Sequence, residues 1–195
     1  TKALLVALTN PAAVLTGGNP VFGAPIELDL GGRGVRSMER ADDGKFLIIA
    51  GPAGSATSTA SSNNFALYVW DGTSTTAQRL DNALDALLAS TGGSFETLVS
   101  PSSTAAGTRV QLLQDNGDTL WPGRTQASKD LPPAEQQFVG NWLTLGNPVA
   151  VDTTAPALQS STPASGATGV APTTSIQLVF NEAVRNGGGS FELRS

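Results

Sequence analysis

The sequence contains no cysteine and no histidine. Without cysteine, the chain has neither a disulfide framework nor a thiolate nucleophile. Without histidine, it lacks the imidazole of Ser-His-Asp catalysis and the commonest side-chain ligand of zinc sites. The absence of cysteine does not place the chain in the cytosol, since many exported bacterial proteins avoid cysteine and are rich in Ser, Thr and Gly.

Basic residues are also scarce. The 11 Lys and Arg are scattered among 16 Asp and Glu, which gives a formal net charge of −5. A face that binds phosphate groups needs clustered positive charge, so we expect neither nucleic acid nor an anionic membrane surface as a partner. The longest apolar run, ALLVAL at 3–8, is far shorter than the roughly 20 residues that span a bilayer, so we expect no membrane insertion.

Glycine and proline are abundant, with 22 and 12 residues, and they favour short strands joined by tight turns over long helices. Asp43-Gly44, Asp71-Gly72 and Asn116-Gly117 each predict a two-residue hairpin turn between strand-like segments. The apolar run FLIIA at 46–50 predicts an inner strand buried on both faces. The strands predicted from these patterns cover 2–8, 21–30, 34–41, 45–51, 65–70, 75–80, 109–114, 118–121 and 137–146.

A loose internal repeat relates two of these hairpins, which start at Gly34 and Ser94. This pattern predicts four-stranded antiparallel units in series, as in the blades of a propeller. The spacing requires an insertion, and there are two candidates. One is the small polar loop 52–64, and the other is the segment 80–91, in which four leucines have helical spacing. A loop at 121–136 with a helical turn near 133–137, and a linker at 147–156, complete the first region.

The last part of the chain carries the clearer resemblance. DTTAP, followed by STPASGATGVAPTTSIQLVFNEAV, resembles the opening of an SbsA-type bacterial Ig-like domain, with Asn181 where Ser or Thr is usual. The resemblance covers 152–195 and implies the first two or three strands of a module of about 100 residues. We therefore expect a domain at 1–146, a linker at 147–156 and the start of an Ig-like domain at 157–195.

The first part resembles the later blades of an uncharacterised bacterial propeller family akin to the esterase-like phytase domains. The residues that carry the resemblance are APIELDLGGRGVRSMER (24–40), FLIIAGPAG (46–54), FALYVWDG (65–72), FETLVSP (95–101) and FVGNWLTLG (138–146). It implies that 1–146 holds the last two or three blades of a propeller. The family name implies ester hydrolysis, but no motif in this segment carries that activity.

Together these features predict an all-β chain, with a partial antiparallel β-propeller followed by a partial Ig-like β-sandwich. The function they imply is a β-rich scaffold or binding module of an exported bacterial surface or secreted protein, without a catalytic centre in this segment. One alternative is a phytase-like phosphoesterase whose active residues lie mostly elsewhere. Another is an S-layer or filament subunit completed by strand addition.

We expect the chain to be an internal piece of a longer polypeptide, with the rest of that polypeptide or neighbouring subunits as its partners. The first residues, TKALLVALTNP, lack a signal-peptide cleavage site, so an export signal would lie upstream. The expected location is extracellular or at the cell surface.

Paired carboxylates are the candidate metal ligands. Asp42 with Asp43, Asp81 with Asp85, and Asp115 with Asp118 can each offer oxygen ligands to Ca²⁺. The competing interpretation is turn chemistry, in which an aspartate before glycine accepts hydrogen bonds from nearby backbone. No cofactor is implied by the sequence, and Ca²⁺ is left open.

Charged and aromatic residues supply the remaining candidates. Arg36 and Arg40 are the candidate phosphate contacts of a hydrolase, with Glu39 as an acid/base partner of Arg36; the alternative is a set of salt bridges between blades. Glu96 is a candidate general base or metal ligand, or else a structural cap of its strand. The three tryptophans can stack on a sugar, but their apolar neighbours favour core packing; they are Trp70, Trp121 and Trp142.

Overall fold

The computed structural model describes residues 2–52, 64–89, 91–150, 154–182 and 184. Most of the predicted insertion loop at 52–64, and the chain beyond Val184, lie outside the described residues. The chain divides into two units, Thr1–Val149 (unit 1) and Ala150–Ser195 (unit 2). The described strands pair antiparallel within four sheets, which confirms the all-β prediction.

The described residues of unit 1 form three sheets, in which the strands follow one another in chain order. The first sheet has β1 (Ala3–Leu5) and β2 (Ile26–Leu28). The second has β3 (Gly34–Arg40), β4 (Phe46–Gly51), β5 (Ala66–Trp70) and β6 (Gln78–Arg79), and the third has β7 (Ser94–Leu98), β8 (Arg109–Asp115) and β9 (Gly140–Thr144). Helix α1 (Pro11–Leu15), helix α2 (Asp85–Leu88) and two 3-10 helices (Ser128–Asp130, Pro133–Glu135) lie in the connections.

Strand β4 is buried on both faces, as its continuous apolar sequence predicts. Leu47 and Ile49 belong to one core, shared with β7 and β8, which we call the inter-sheet core. Ile48 and Ala50 point the other way into a second core, shared with Leu28 of the first sheet. The second sheet therefore lies between the first and the third. The inter-sheet core consists of Leu47, Ile49, Phe65, Leu67, Leu80, Leu84, Phe95, Leu98, Val110, Leu112 and Leu145.

The repeated hairpins share a structural irregularity. The β3–β4 pairing shifts register between Val35 and Ser37, and the β7–β8 pairing shifts between Phe95 and Thr97. Each shift is an extra residue in the first strand of its hairpin, which is a β-bulge. The bulge residues, Arg36 and Glu96, occupy the same place in the repeat. The described residues do not close a ring of sheets, so the propeller architecture remains a prediction.

All three predicted two-residue hairpin turns differ from expectation. At Asp71-Gly72 the connection is longer than two residues, because β5 ends at Trp70 and Val69 pairs with Gln78 of β6. Between β3 and β4, the backbone N–H of Ala41 donates to the carbonyl oxygen of Lys45, which leaves a three-residue loop ending in Gly44 at φ 84°. At Asn116-Gly117 the expected hairpin is wrong, because β8 pairs next with β9 rather than with 118–121. The reason is that the Asn116 side chain is buried and accepts a hydrogen bond from the backbone N–H of Val139.

The segment after β9 remains hydrogen-bonded to the second sheet. The N–H of Asp81 donates to the carbonyl oxygen of Asn147 at 2.9 Å, and the N–H of Val149 donates to that of Arg79 at 2.8 Å. The first residues of the sequence-predicted linker, 147–149, therefore belong to unit 1.

Unit 2 contains one described hairpin, in which β10 (Leu158–Thr162) pairs with β11 (Gln177–Phe180). Asn181 extends the ladder by one step. Its backbone N–H donates to the carbonyl oxygen of Ala157 at 3.0 Å, and its Oδ1 accepts from the Ala157 N–H at 2.7 Å. In neither unit do the described residues include a helix long and apolar enough to cross a membrane.

Candidate functional site

A cleft in unit 1 brings together four of the residues that the sequence singled out. Its volume is about 240 Å³, and Arg36 and Glu96 lie in its wall together with Asp115 and Asp118. Gly92, Gly93, Ser94 and Thr119 complete the lining. The cleft forms where the bulge of β7 faces the bulge of β3, so Arg36 and Glu96 come from the first hairpins of two consecutive sheets.

Arg36 and Glu96 form a salt bridge across the two sheets. Nη1 of Arg36 lies 2.9 Å from Oε1 of Glu96, and Nη2 donates to the carbonyl oxygen of Pro52 at 2.7 Å. The same Oε1 accepts from Oγ of Ser94 at 2.9 Å. The two side chains are only 20% and 34% exposed, so solvent screens this pair less than a surface pair. Arg36 thus pairs with Glu96 of the neighbouring sheet, which favours the salt-bridge interpretation of Arg36 over a role as a phosphate contact.

Asp115 and Asp118 line the same cleft but make local contacts. Oδ1 of Asp115 accepts from the backbone N–H of Gly117 at 2.8 Å, and Asp118 pairs with Lys129 at 2.5 Å. The hydrogen bond that the Lys129 ammonium donates to Asp118 raises the pKa of Lys129. Among the residues that the structure describes, no group of three or more carboxylates is placed to hold a metal ion. Calcium binding therefore remains a prediction.

Arg40 and Asp42 do not join the cleft. Arg40 lies four residues beyond Arg36 on β3, which places its backbone about 13 Å away along the strand. Both Arg40 and Asp42 are exposed near the β3–β4 turn. The two arginines therefore do not converge on one phosphate group.

Asp43 fastens the β3–β4 turn to the loop that follows β7. Its Oδ2 accepts from the backbone N–H of Thr104 at 2.7 Å, from the Thr104 hydroxyl at 2.8 Å and from the Ser103 hydroxyl at 3.2 Å. Its Oδ1 accepts from the N–H of Lys45 at 3.1 Å. The backbone bond from Thr104, followed by the other hydrogen bonds, lowers the pKa of Asp43 from 3.8 to about 2.

We expect this lowered pKa to appear in acid unfolding. A carboxylate with a lower pKa in the folded state stabilises the fold above its unfolded pKa, and that stability is lost as the pH falls from 3.8 towards about 2. Asp43→Asn should reduce the free energy of unfolding by about 1 kcal/mol at pH 7, and the reduction should vanish towards pH 2. Urea unfolding at several pH values measures this. Asp42→Asn is the matched control, and equal pH profiles for Asp43→Asn and the wild type would contradict the assignment.

In the remaining aspartate pair, the carboxylate of Asp85 accepts hydrogen bonds from backbone. Oδ2 of Asp85 accepts from the N–H of Asn64 at 2.8 Å, and Oδ1 accepts from that of Phe65 at 3.1 Å. Asp85 therefore caps the entry to β5 from the start of helix α2. The backbone N–H of Asp81 bonds to Asn147, as described above.

The tryptophans differ in their surroundings. Trp70 is buried, and its Nε1 donates to the carbonyl oxygen of Ser74 at 2.8 Å, as core packing predicts. Trp142 is 56% exposed on β9, and the guanidinium carbon of Arg109 lies 4.6 Å from its ring centroid. The prediction of core packing is therefore wrong for Trp142. No separate signal in the sequence indicates the exposure of Trp142, because an alternating strand does not show which of its faces is covered.

A buried polar network that the sequence does not predict lies beside the cleft. Gln114 and Asn116 are almost fully buried, and Gln114 connects β8 to β9, to helix α2 and to Thr91 after that helix. Each residue type is common in exposed turns, so neither drew attention as a core residue.

A family model described as a bacterial Ig-like domain matches residues 152–192. This match confirms the Ig-like resemblance for most of unit 2 and indicates a β-module of the kind found in bacterial surface proteins. No curated protein and no solved structure gives a significant match to the chain.

Proposed function

We propose that this chain is a β-rich scaffold and binding segment of an exported bacterial surface or secreted protein. The Ig-like match in unit 2 supports the class of protein. The observation that carries the scaffold role is the salt bridge between Arg36 and Glu96, since it joins the first hairpins of two consecutive sheets at matching bulges.

Further contacts between the same two hairpins support this role. The N–H of Leu98 donates to the hydroxyl of Ser37 at 3.1 Å, and Asp43 binds Thr104 at the opposite end of β3. Polar side chains at both ends of the first hairpin thus hold the second one in register over the apolar inter-sheet core. In this proposal the chain acts outside the cell, and its partners are the rest of a longer polypeptide or neighbouring subunits.

A double-mutant cycle tests the scaffold role. We expect Arg36→Met and Glu96→Gln each to destabilise unit 1, with a coupling energy of about 1 kcal/mol between them. Tryptophan fluorescence during urea unfolding reports on unit 1, because Trp70, Trp121 and Trp142 all belong to it. The exposed pair Lys2–Glu27, with atoms 3.4 Å apart, is the matched control and should show coupling near zero. Equal coupling energies in the two pairs would contradict the scaffold role of the salt bridge between Arg36 and Glu96.

The phosphoesterase alternative receives less support from the cleft. The positive charge of Arg36 faces Glu96, and Asp115 and Asp118 add further negative charge to the same wall. Such a lining repels a phosphate group. Turnover of p-nitrophenyl phosphate by the chain, with or without Ca²⁺ and abolished by Arg36→Ala, would favour the hydrolase over the scaffold.

An apolar hollow in unit 2 favours a second candidate function, assembly by strand addition. Its volume is about 540 Å³, and Leu158, Val170, Ile176 and Leu178 contribute to its lining. A two-stranded sheet is marginally stable alone, so an added β-segment over this hollow would stabilise it. In this candidate role the chain forms higher-order species in sedimentation velocity, and Ile176→Ser reduces them. A monomer at all concentrations would contradict it.

A further inference from the structure

Two exposed aromatic rings lie on the same face of β9 and of the residues just before it. Phe138 is 68% exposed and Trp142 is 56% exposed. Val139 already pairs with the neighbouring strand, since its carbonyl oxygen accepts from the N–H of Gln114 at 2.9 Å. The alternation of side chains therefore extends from 138 to 144, and it places Phe138, Gly140 and Trp142 on one face. The Cα atoms that carry the two rings are about 13 Å apart along the strand.

Gly140 lies between the two rings. Because it has no side chain, the side chains of Gln111 and Leu113 can occupy the space above the strand. A Cβ atom at this position would lie 3.0 Å from Nε2 of Gln111 and 3.3 Å from Cδ2 of Leu113. Gln111 and Leu113 pair with Trp142 and Gly140, respectively, in the β8–β9 register. The face therefore presents a ring, then an amide beside an aliphatic group, then a second ring.

Arg109 lies against the second ring. Its guanidinium carbon is 4.6 Å from the centroid of Trp142, which is a cation–π contact that restricts the indole. The planar guanidinium also brings hydrogen-bond donors to the edge of the ring.

The first ring borders an open cavity. The cavity has a volume of about 410 Å³, and Phe138 lines it together with Asp115, Lys129, Gln136 and Gln137. Nε2 of Gln136 donates to the carbonyl oxygens of Lys129 and Leu131 at 3.2 and 3.0 Å, which fixes the plane of that amide. The cavity thus combines one aromatic wall with amide, carboxylate and ammonium groups.

We propose that this face and cavity bind an extended glycan chain. The C–H faces of two pyranose rings stack on Phe138 and Trp142, and a short run of sugar spans Gly140 under the amide of Gln111. Hydroxyl groups bond to Gln111, to Arg109 and to the polar side chains of the cavity. We call this the glycan site. It goes beyond the scaffold role and does not depend on the salt bridge between Arg36 and Glu96.

The pattern of groups fits a glycan better than the other large ligands. A protein partner would require a contiguous apolar centre depleted of charge, whereas these rings are separated by an amide and flanked by Arg109, Asp115 and Lys129. A nucleic acid would be repelled by the net charge of −5. A carbohydrate presents alternating apolar faces and hydroxyl edges, which matches rings that alternate with planar polar groups.

Titration of the 195-residue chain with cellohexaose and with chitohexaose tests the proposal. Both probes are linear β-linked pyranose chains, and isothermal calorimetry measures their affinities. We expect at least one of them to bind with a Kd below about 1 mM. Trp142→Ala and Phe138→Ala should each weaken that binding by about tenfold or more, as removal of a stacking ring does. Trp142→Phe keeps a ring and should lose less.

Leu15→Ala is the matched control, because Leu15 is an exposed apolar side chain on helix α1, far along the sequence from β9. It should leave the affinity unchanged. Both aromatic side chains are exposed, so the urea midpoints of the variants should match the wild type and exclude misfolding. The proposal is overturned if neither hexasaccharide binds at about 5 mM, or if Trp142→Ala binds as well as Leu15→Ala. It is also overturned if Trp142→Ala separates a dimer into monomers, since the face would then be an interface between copies.

Discussion

Phe95→Ala is expected to lower the free energy of unfolding of unit 1 by about 3–5 kcal/mol, which is the usual cost of removing a fully buried phenylalanine. Phe95 is completely buried in β7 and belongs to the inter-sheet core. Its ring meets that of Phe65 edge to face, with centroids 5.7 Å apart and planes at 86°. The substitution leaves a cavity where the second and third sheets meet. Domains of this size have about 5–15 kcal/mol of stability, so a large share would be lost.

Urea unfolding followed by tryptophan fluorescence measures this loss for unit 1 alone. Phe138→Ala is the matched control, since it removes the same ring from an exposed position and should change stability by less than about 0.5 kcal/mol. Similar losses in the two variants would mean that the third sheet does not depend on the inter-sheet core.

The core that Phe95 occupies could be anticipated in part from the sequence. The uninterrupted run of Leu47, Ile48 and Ile49 predicts a strand covered on both sides, and the structure confirms it. The leucine spacing in 80–91 predicts helical geometry, and the structure shows it for one turn, helix α2. Leu80 is instead part of the β-structure, since its N–H donates to the carbonyl oxygen of Leu67 at 2.8 Å. The buried strand and the helical turn follow from local periodicity, which sequence reasoning reads directly.

The stacking of the sheets could not be anticipated in the same way. The sequence indicates Arg36 and Glu96 as separate candidates, because each is a charged residue near the start of a predicted strand. Their pairing depends on two hairpins facing each other across 60 residues. One signal was available, since the two residues occupy equivalent places in the internal repeat. Opposite charges at equivalent positions of neighbouring repeats indicate a contact between them.

At Asn116-Gly117 the sequence predicts a hairpin turn that the structure does not form. The dipeptide has the local composition of a hairpin turn, and local composition predicted a strand directly after it. The structure instead buries Asn116, and the chain passes through two 3-10 helices before β9 begins at Gly140. The bond that decides this conformation comes from Val139, which is 23 residues away. A pattern limited to neighbouring residues cannot contain that partner.

The second large expected effect concerns this same side chain. Oδ1 of Asn116 accepts from the Val139 N–H at 2.8 Å, while Nδ2 donates to Oγ1 of Thr119 at 3.1 Å and to Oε1 of Gln114 at 3.3 Å. Gln114 in turn donates to Oδ1 of Asn141 on β9 at 2.6 Å. The amide of Asn116 thus links the end of β8 to the strand that returns beside it.

We expect Asn116→Ala to destabilise unit 1 by about 2–3 kcal/mol. The substitution removes three hydrogen bonds and leaves the N–H of Val139 without its side-chain acceptor, and an unsatisfied buried donor costs about 1–3 kcal/mol. Urea unfolding with tryptophan fluorescence again provides the measurement. Asn141→Ala, which removes one bond from the same network, should cost less.

Asn116→Asp separates the loss of hydrogen bonds from a loss of packing, because the two side chains have nearly the same shape. The carboxylate keeps an acceptor for Val139 but places a second acceptor against Oε1 of Gln114, which already accepts from the Thr91 hydroxyl. Burial and this repulsion raise the pKa of the introduced carboxyl above its unfolded value. The destabilisation should therefore be largest at neutral pH and should decrease as the pH falls below the folded-state pKa, where the protonated carboxyl again donates a hydrogen bond. A pH-independent loss equal to that of Asn116→Ala would mean that the network contributes only through its packing.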